Sequence, residues 1–321
     1  MEKHVMTKLL SQKQVNQYHN SGFVSPVNVL NQDEIKQSIN EIEGFEEETG
    51  QPIDFPHKSR CHQLFSWADY LVHHPKILDA VEDIIGPNIL CYHATLWVKP
   101  AKSNSFVRWH QDGTYFFLDP ARHVTAWVAL TIADEEAGCM QVIPGSHKND
   151  FIDHNDDADP NNMIPRGQGL AIDVDTETAV SMPLHPGQMS LHHTKLFHAS
   201  FNNKRETRRI GFGISYIPAE VKDIGNTPAN ALLVRGEDKY NNFLNEKRLK
   251  AFPKTISTTG IKWGGFIGCP TIIRSGVVHP FCSSDGIKDE VLEEIIVSSE
   301  TIFSIFEISS CFKKRSSGQF S

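Results

Sequence analysis

The sequence has no run approaching the roughly 18 uninterrupted apolar residues that a membrane-spanning helix needs, so no membrane partner is expected. It lacks an excess of basic charge: 31 Lys and Arg stand against 39 Asp and Glu, a formal net charge of −8 that argues against binding nucleic acid. Cysteine is scarce. The six residues (Cys61, Cys91, Cys139, Cys269, Cys282, Cys311) are widely spaced and form no Cys-x-x-Cys pair, and Met1 to Ser11 alternates polar and apolar residues unlike a secretory leader. Reduced thiols in a cytoplasmic protein are therefore expected, and Gln319-Phe320-Ser321 is unlike the peroxisomal Ser-Lys-Leu address. Internal repeats and low-complexity tracts are missing as well. What is there is an ordinary globular composition, 39% hydrophobic and 22% charged, long enough to bury a sizeable core. Histidine is plentiful at 16 residues, too many for all to be ligands, so spacing has to select among them.

Helical signals come first along the chain. Ser11 to Gly22 reads as a helix, with Val15 and Tyr18 at i, i+3, and Phe23 to Leu30 follows as an extended piece. Asn31 caps a second helix, because Glu34 stands three residues later as in a capping box and Ile35, Ile39 and Ile42 repeat on one face. The acidic run Glu46-Glu47-Glu48 with Gly50 ends it. Pro75, the apolar Ile77, Leu78, Val81, Ile84 and Ile85, and the stop Gly86-Pro87 mark a third helix.

Beyond Gly86 the texture changes to short strand-like runs: Ile89 to Lys99, Val124 to Ile132, Cys139 to Ile143, Met189 to Leu191 and Arg209 to Ile217. Such runs without helices between them predict an antiparallel sandwich or barrel. Phe151 to Gly169 is polar and acidic and reads as a long exposed insertion. Its Asp153-x-Asn155-x-Asp157 spacing mimics a calcium loop, but Ala158 replaces the required Gly and Ile164 the terminal Glu, which excludes calcium. After about Pro253 the chain is Ser/Thr/Gly-rich, with an amphipathic stretch at Asp289 to Phe306 and a basic Lys313-Lys314-Arg315 in which no chemistry is evident.

The segment richest in chemistry is Arg108 to Tyr115. In extended backbone His110 and Asp112 project to the same side and bring an imidazole and a carboxylate to one point. An exposed His beside a turn Asp is the ordinary alternative. His198 and Arg209 extend the pattern, since two histidines and a carboxylate on separate strands are what a non-haem Fe(II) facial triad requires, with the opposite side of the metal left open. From Arg209 to Ile217, alternation puts Arg209, Gly211, Gly213 and Ser215 on one face and Ile210, Phe212, Ile214 and Tyr216 on the other. The apolar face can pack on helices, and the small-residue face beside one guanidinium suits a cavity for a dicarboxylate. A solvated Arg209 with glycines accommodating a bend is the competing reading; Arg208, on the apolar side, is accommodated only at the strand's end.

Taken together, His110-x-Asp112, Gly138-Cys139 followed by Pro144-Gly145-Ser146-His147-Lys148, His198-x-Ser200 and Arg209 resemble the phytanoyl-CoA dioxygenase family of Fe(II)- and 2-oxoglutarate-dependent oxygenases. The resemblance runs from about residue 12 to about residue 245 and does not extend to the tail. It implies a mainly β fold, the double-stranded β-helix (a cupin-like jelly-roll barrel) with the N-terminal helices packed outside, and a catalytic domain at 1–253 followed by an extension at 254–321. By this resemblance His110, Asp112 and His198 ligate iron, Arg209 binds the distal carboxylate of 2-oxoglutarate with help from Ser200, and Trp127 and Thr125 lie on the cosubstrate's side of their strand. Halogenating relatives carry Gly or Ala where Asp112 stands, so the implied reaction is oxygenation with O2, most simply hydroxylation of a small-molecule substrate.

Two other classes remain open: a cupin-like binding protein without turnover, and a zinc hydrolase or isomerase on the same ligands. The full ligand set argues against the first, and the second gives Arg209 no role. His192 and His193 are read as flanking their strand, His147 as part of a turn, and Cys139 as a small core residue. His62, His93 and His123 are marginal pocket residues. Lys99, Arg108 and Arg122, with Tyr115, Phe116 and Phe117, are expected near the cavity mouth, where they suit an anionic or amphipathic substrate.

Overall fold

Local capping chemistry places the first two helices. In helix α1 (Gln12–Ser21) the Ser11 hydroxyl accepts from the Gln14 amide while the Gln14 side chain accepts from the Ser11 amide, and Gly22 closes the helix in the left-handed region. At the start of α2 (Gln32–Thr49), Asn31 Oδ1 accepts from the amides of Asp33 and Glu34 and the Glu34 carboxylate accepts from the Asn31 amide. The helix runs through its acidic residues and stops before Gly50, whose φ is 65°. Helix α4 (Pro75–Ile85) begins on its proline and buries Ile77, Leu78, Val81 and Ile85. Between them lies α3 (Ser66–Val72), absent from the sequence reading; at seven residues, five of them buried, it shows no one-sided apolar stripe.

The computed structural model describes residues 7–248 apart from 156, 158, 165–167 and 226–228, together with two short strands at 271–274 and 277–280. The strands are β1 (Phe23–Asn28), β2 (Ile89–Lys99), β3 (Val107–His110), β4 (Leu118–Asp119), β5 (Val124–Ala129) and β6 (Met140–Val142). They continue with β7 (His154–Asn155), β8 (Gly169–Leu170), β9 (Val180–Met182), β10 (Gln188–His193), β11 (His198–Ser200) and β12 (Arg209–Pro218). Last come β13 (Lys222–Asp223), β14 (Asn230–Arg235), β15 (Leu244–Asn245), β16 (Thr271–Arg274) and β17 (Val277–Pro280). Seven form one sheet in the order β1-β10-β5-β12-β2-β14-β15, and four form a second, β3-β11-β6-β9. Pairing is antiparallel except at the β14–β15 edge. Both sheets lie in one compact unit, Met1–Glu41 with Asp54–Leu249, while Ile42–Ile53 and the chain from Lys250 belong to a second.

Every residue of β12 is buried, and its alternation explains the layering. The Phe212 ring meets Trp67 of α3 edge-on at 5.0 Å between centroids, and the Tyr216 hydroxyl donates to the Val72 carbonyl at 3.0 Å. Burying side chains of this size contributes about 1.5–3 kcal/mol each, which fastens helices outside the large sheet. Its opposite face turns to the small sheet: Met140 of β6 packs on Trp127 and Ala129 of β5, and Lys99 of β2 donates to Ser200 of β11 at 2.8 Å. Two antiparallel sheets face to face, with helices on one outer surface, make the sandwich expected from the strand order and the jelly roll implied by the family resemblance.

The insertion is tied down rather than freely solvated. Strands β7 and β8 pair with each other, the Phe106 amide donates to the Asn161 carbonyl and the Met163 amide to the Phe106 carbonyl, Ile164 is buried, and His154 Nε2 accepts from the Gln111 amide at 3.2 Å. Its acidic composition misled because a few short anchors sit among many exposed residues. Cys61, Cys91 and Cys139 are buried free thiols. The amphipathic stretch at 289–306, the basic triplet and the other three cysteines lie outside the described residues. No helix among the described residues is long and apolar enough to cross a membrane.

Candidate metal centre and anion subsite

His110 ends β3 and His198 begins β11, and the two are directly paired across the ladder. Gln111 keeps an extended backbone (φ −119°, ψ 125°), so Asp112, at the start of a short 3-10 turn, projects to the side of His110. The same local device orients both rings. His110 Nδ1 donates to the carbonyl of Arg108 and His198 Nδ1 to that of Leu196, each at 2.9 Å, which leaves both Nε2 atoms to face the carboxylate. Asp112 Oδ1 lies 3.4 Å from His110 Nε2 and 3.5 Å from His198 Nε2, and one donor atom from each of the three residues falls within 4.8 Å of the others. A neutral-imidazole pair with one carboxylate, converging in this way, fits a divalent metal of the iron or zinc type.

Electrostatics agree with that fit. Burial opposes charge on Asp112, but His198, His110 and His192 around it outweigh this and hold the carboxyl well below its usual range. Burial, aided by neighbouring His198, lowers His110 and keeps it neutral, as a ligand must be.

The small-sheet-facing side of the large sheet is cationic beyond this set. Lys99 is paired in register with Arg209, and both are buried, at 0% and 3% exposure. Lys99 Nζ donates to Ser200 Oγ at 2.8 Å and to the Phe201 carbonyl. Arg209 donates to the Gly138 carbonyl, stacks at 5.2 Å over Trp127, and has a buried Nε without a partner. Gly138 is a position where only glycine serves: its φ is 68°, and a Cβ would stand 2.2 Å from the Phe201 carbonyl oxygen. Among the described residues no carboxylate pairs with either cation. Burial first, and then Arg209, push the Lys99 ammonium down to about 6; burial lowers Arg209 to about 10.

The wall between the two ends is the small-residue face foreseen on β12. Gly211 lies against Trp127, where a Cβ would sit 2.0 Å from the ring. Thr125 is on the same face of β5 but bonds Asp112 Oδ2 at 2.7 Å, so it sits at the metal end of the cavity. His192, expected only to flank its strand, also reaches Asp112 Oδ2, at 3.2 Å. Its cross-strand partner is Thr125, a register that sequence alone does not supply. His123 bonds Thr125 and Thr194. His193 packs against Tyr18 and His147, and His147 bonds the His19 carbonyl, in keeping with their structural readings.

The expected cationic mouth is not found. Lys99 is buried beside Arg209, Arg122 pairs with Glu220 on the surface, and Arg108 faces Asp157 and Asp159 at 3.9 Å. Phe116 packs with Tyr92 and His123, Phe117 is exposed, and Tyr115 stays close to His110 at 6.5 Å between centroids. His62 is buried against Glu246, which also pairs with Arg60, and His93 bonds Ser59. A groove of about 400 Å³, lined in part by Trp109 and Ala199, lies on the outer face of the small sheet, because those residues alternate away from His110 and His198.

A jelly roll that pairs a two-histidine, one-carboxylate set with a buried cationic pocket defines the architecture of non-haem metal oxygenases. The family model for phytanoyl-CoA dioxygenase (PhyH) matches residues 18–211, and the chain belongs to that family. It is 29% identical over 187 residues to a probable alpha-ketoglutarate-dependent hypophosphite dioxygenase of Stutzerimonas stutzeri, covering 57% of this chain and 64% of that protein. Peroxisomal phytanoyl-CoA dioxygenase of Bos taurus is 33% identical over 137 residues, 41% of this chain and 40% of that one. The chain thus spans less than two thirds of these curated relatives. Among solved structures, the apo form of the non-heme monooxygenase ThoJ superposes with a TM-score of 0.66 at 35% identity, covering 74% of this chain and 89% of that one.

Proposed function

We propose that this protein is an Fe(II)- and 2-oxoglutarate-dependent dioxygenase that uses O2 to hydroxylate a C–H bond of a small molecule, with 2-oxoglutarate converted to succinate and CO2. The observation that carries the reading is the pair of buried cations without a carboxylate. Burying an uncompensated charge is costly, and a dianion's distal end would offset that cost at Lys99 and Arg209. Strand β11 links this subsite to the metal set, since His198 and Ser200 are two residues apart, about 7 Å along a strand. That is the span of a five-carbon dicarboxylate.

His110, Asp112 and His198 would hold the iron, which when bound supplies O2 activation and a Lewis acid for the 2-oxo acid. Arg209 offers a planar fork to the distal carboxylate, while Lys99 adds a point charge and orients Ser200. Trp127 and the glycine wall exclude water from the same end and strengthen these contacts. Asp112 occupies the place that halogenating relatives leave to a halide, which favours oxygenation. A zinc hydrolase on the same ligands leaves the two cations without a use, and a binding protein without turnover gives no reason for the complete set of His110, Asp112 and His198. The buried unpaired thiols accord with a reducing, cytoplasmic setting, and residues 1–253 are taken as the catalytic domain, with 254–321 as its extension.

The test needs no substrate. Fe(II) and 2-oxoglutarate are added to metal-free protein without oxygen, and the visible metal-to-cosubstrate charge-transfer band is recorded. The expected result is a band in wild type that is lost in His110→Ala and needs far more 2-oxoglutarate in Arg209→Ala. Iron-loaded, folded protein with no band would overturn the assignment.

A further inference from the structure

The two oxygens of Asp112 have different surroundings. Oδ1 faces His110 and His198, whereas Oδ2 takes two hydrogen bonds, from Thr125 Oγ1 at 2.7 Å and His192 Nε2 at 3.2 Å. A carboxylate oxygen can only accept here, so the directions along the chain of bonds follow. The Thr125 hydroxyl spends its single hydrogen on Asp112 and must accept from His123 Nε2, 3.1 Å away. His123 then carries its proton on Nε2, and its Nδ1 is left to accept from the Thr194 hydroxyl at 2.8 Å. Thr194 in turn accepts the Gly113 amide on its carbonyl at 2.9 Å, so the chain returns to the turn that bears Asp112. His192 has no partner for Nδ1 among the described residues, which fixes its proton on Nε2 as well.

The donors are buried, which limits replacement of a lost one by water: His192, His123 and Thr194 are at most 1% exposed and Thr125 is 7% exposed. Their placement comes from register, since His192 and Thr125 are cross-strand partners on neighbouring strands of the large sheet and project to the same face.

We infer that His192 and Thr125 are positioning residues that jointly commit Asp112 Oδ2, so that the carboxylate presents Oδ1 alone to the metal, with His123 and Thr194 fixing the direction of the Thr125 bond. The consequence is an open face. A carboxylate free to offer both oxygens competes for a position that cosubstrate or O2 has to occupy, and two buried donors on Oδ2 prevent this. The inference rests on the reading of His110, Asp112 and His198 as metal ligands.

The test uses Co(II) in place of Fe(II), in full-length Thr125→Val, His192→Phe and the double variant, with affinity measured by chelator competition and coordination number by visible absorption, with and without 2-oxoglutarate. Each single change is expected to weaken metal binding about 10-fold and the pair about 100-fold, with weaker absorption as coordination number rises and a smaller response to 2-oxoglutarate. Thr125→Ser and His192→Gln, which keep a donor at each place, are expected to restore wild-type spectra. A double variant with native near-UV dichroism, wild-type affinity and an unchanged spectrum overturns the inference while sparing the ligand reading. Failure of the wild type to bind Co(II) or Fe(II) overturns both.

Discussion

At the metal end of the cavity one carboxylate, Asp112, is surrounded by four groups able to donate to or face it, from His110, His198, His192 and Thr125. At the other end two cations, Lys99 and Arg209, share hydroxyl and carbonyl oxygens and, among the described residues, no carboxylate at all. The first end is complete in the protein and holds its charge in place. The second has a deficit, and a deficit in a buried place points to the ligand that fills it. Such a pocket is recognised by what its side chains lack, the metal set by what they bring together.

Removing a ligand should break the contrast most severely. Asp112→Ala or His198→Ala is expected to abolish metal binding and turnover together, as read by metal analysis of purified protein and by succinate formation. Arg209→Ala comes next. Loss of a buried charged partner costs about 3–5 kcal/mol, so 2-oxoglutarate affinity should fall by a factor of about 100 to 5,000 while metal affinity in its absence stays near wild type. Equal losses of both would show that the two ends are not separable.

Lys99→Met sharpens the comparison, because ligand binding and stability respond in opposite directions. Binding of 2-oxoglutarate should weaken about 10-fold, but the ligand-free protein should gain about 1 kcal/mol or more in thermal or denaturant unfolding, since Met removes the cost of burying an amine that must give up its proton on folding. The sign of the pH effect follows from the depressed ammonium. Between about 6 and the ordinary 10.5 the unfolded chain holds a proton that folded Lys99 has lost, so this group makes stability rise with pH across that window. A bound dianion restores the proton. Uptake approaching one proton at pH 7.5, measured by calorimetry in buffers of different ionisation heat, is therefore expected in wild type and not in Lys99→Met. The smallest effect on binding is that of Gly211→Ala, where the added methyl displaces the Trp127 indole and should lower 2-oxoglutarate affinity by less than about 10-fold, although overpacking costs about 1–3 kcal/mol of stability.

Much of this was legible in the sequence because it is written locally. The helix running from Ser11 to Gly22, the capping box at Asn31, the alternation along β12 and the spacing of His110, Asp112, His198 and Arg209 need no partner strand to be read. The missing parts depend on register. Lys99 looked like a mouth residue until β2 was paired with β12, and His192 looked like strand filler until β10 was paired with β5. Helix α3 was invisible because it is short and buried on nearly all sides. The insertion looked solvated because its anchors to Gln111 and Phe106 are only two hydrogen bonds each within an acidic segment.

The most direct test of the two-ended site compares binding of 2-oxoglutarate with that of 2-oxobutyrate, which keeps the 2-oxo acid but lacks the distal carboxylate. Metal-loaded protein is titrated without oxygen, in wild type and in Arg209→Ala. The predicted result is at least about 100-fold preference for 2-oxoglutarate in wild type, reduced to within about 10-fold in the variant. Equal affinity for the two acids in wild type would contradict the assignment of Lys99 and Arg209 as the place of the second carboxylate.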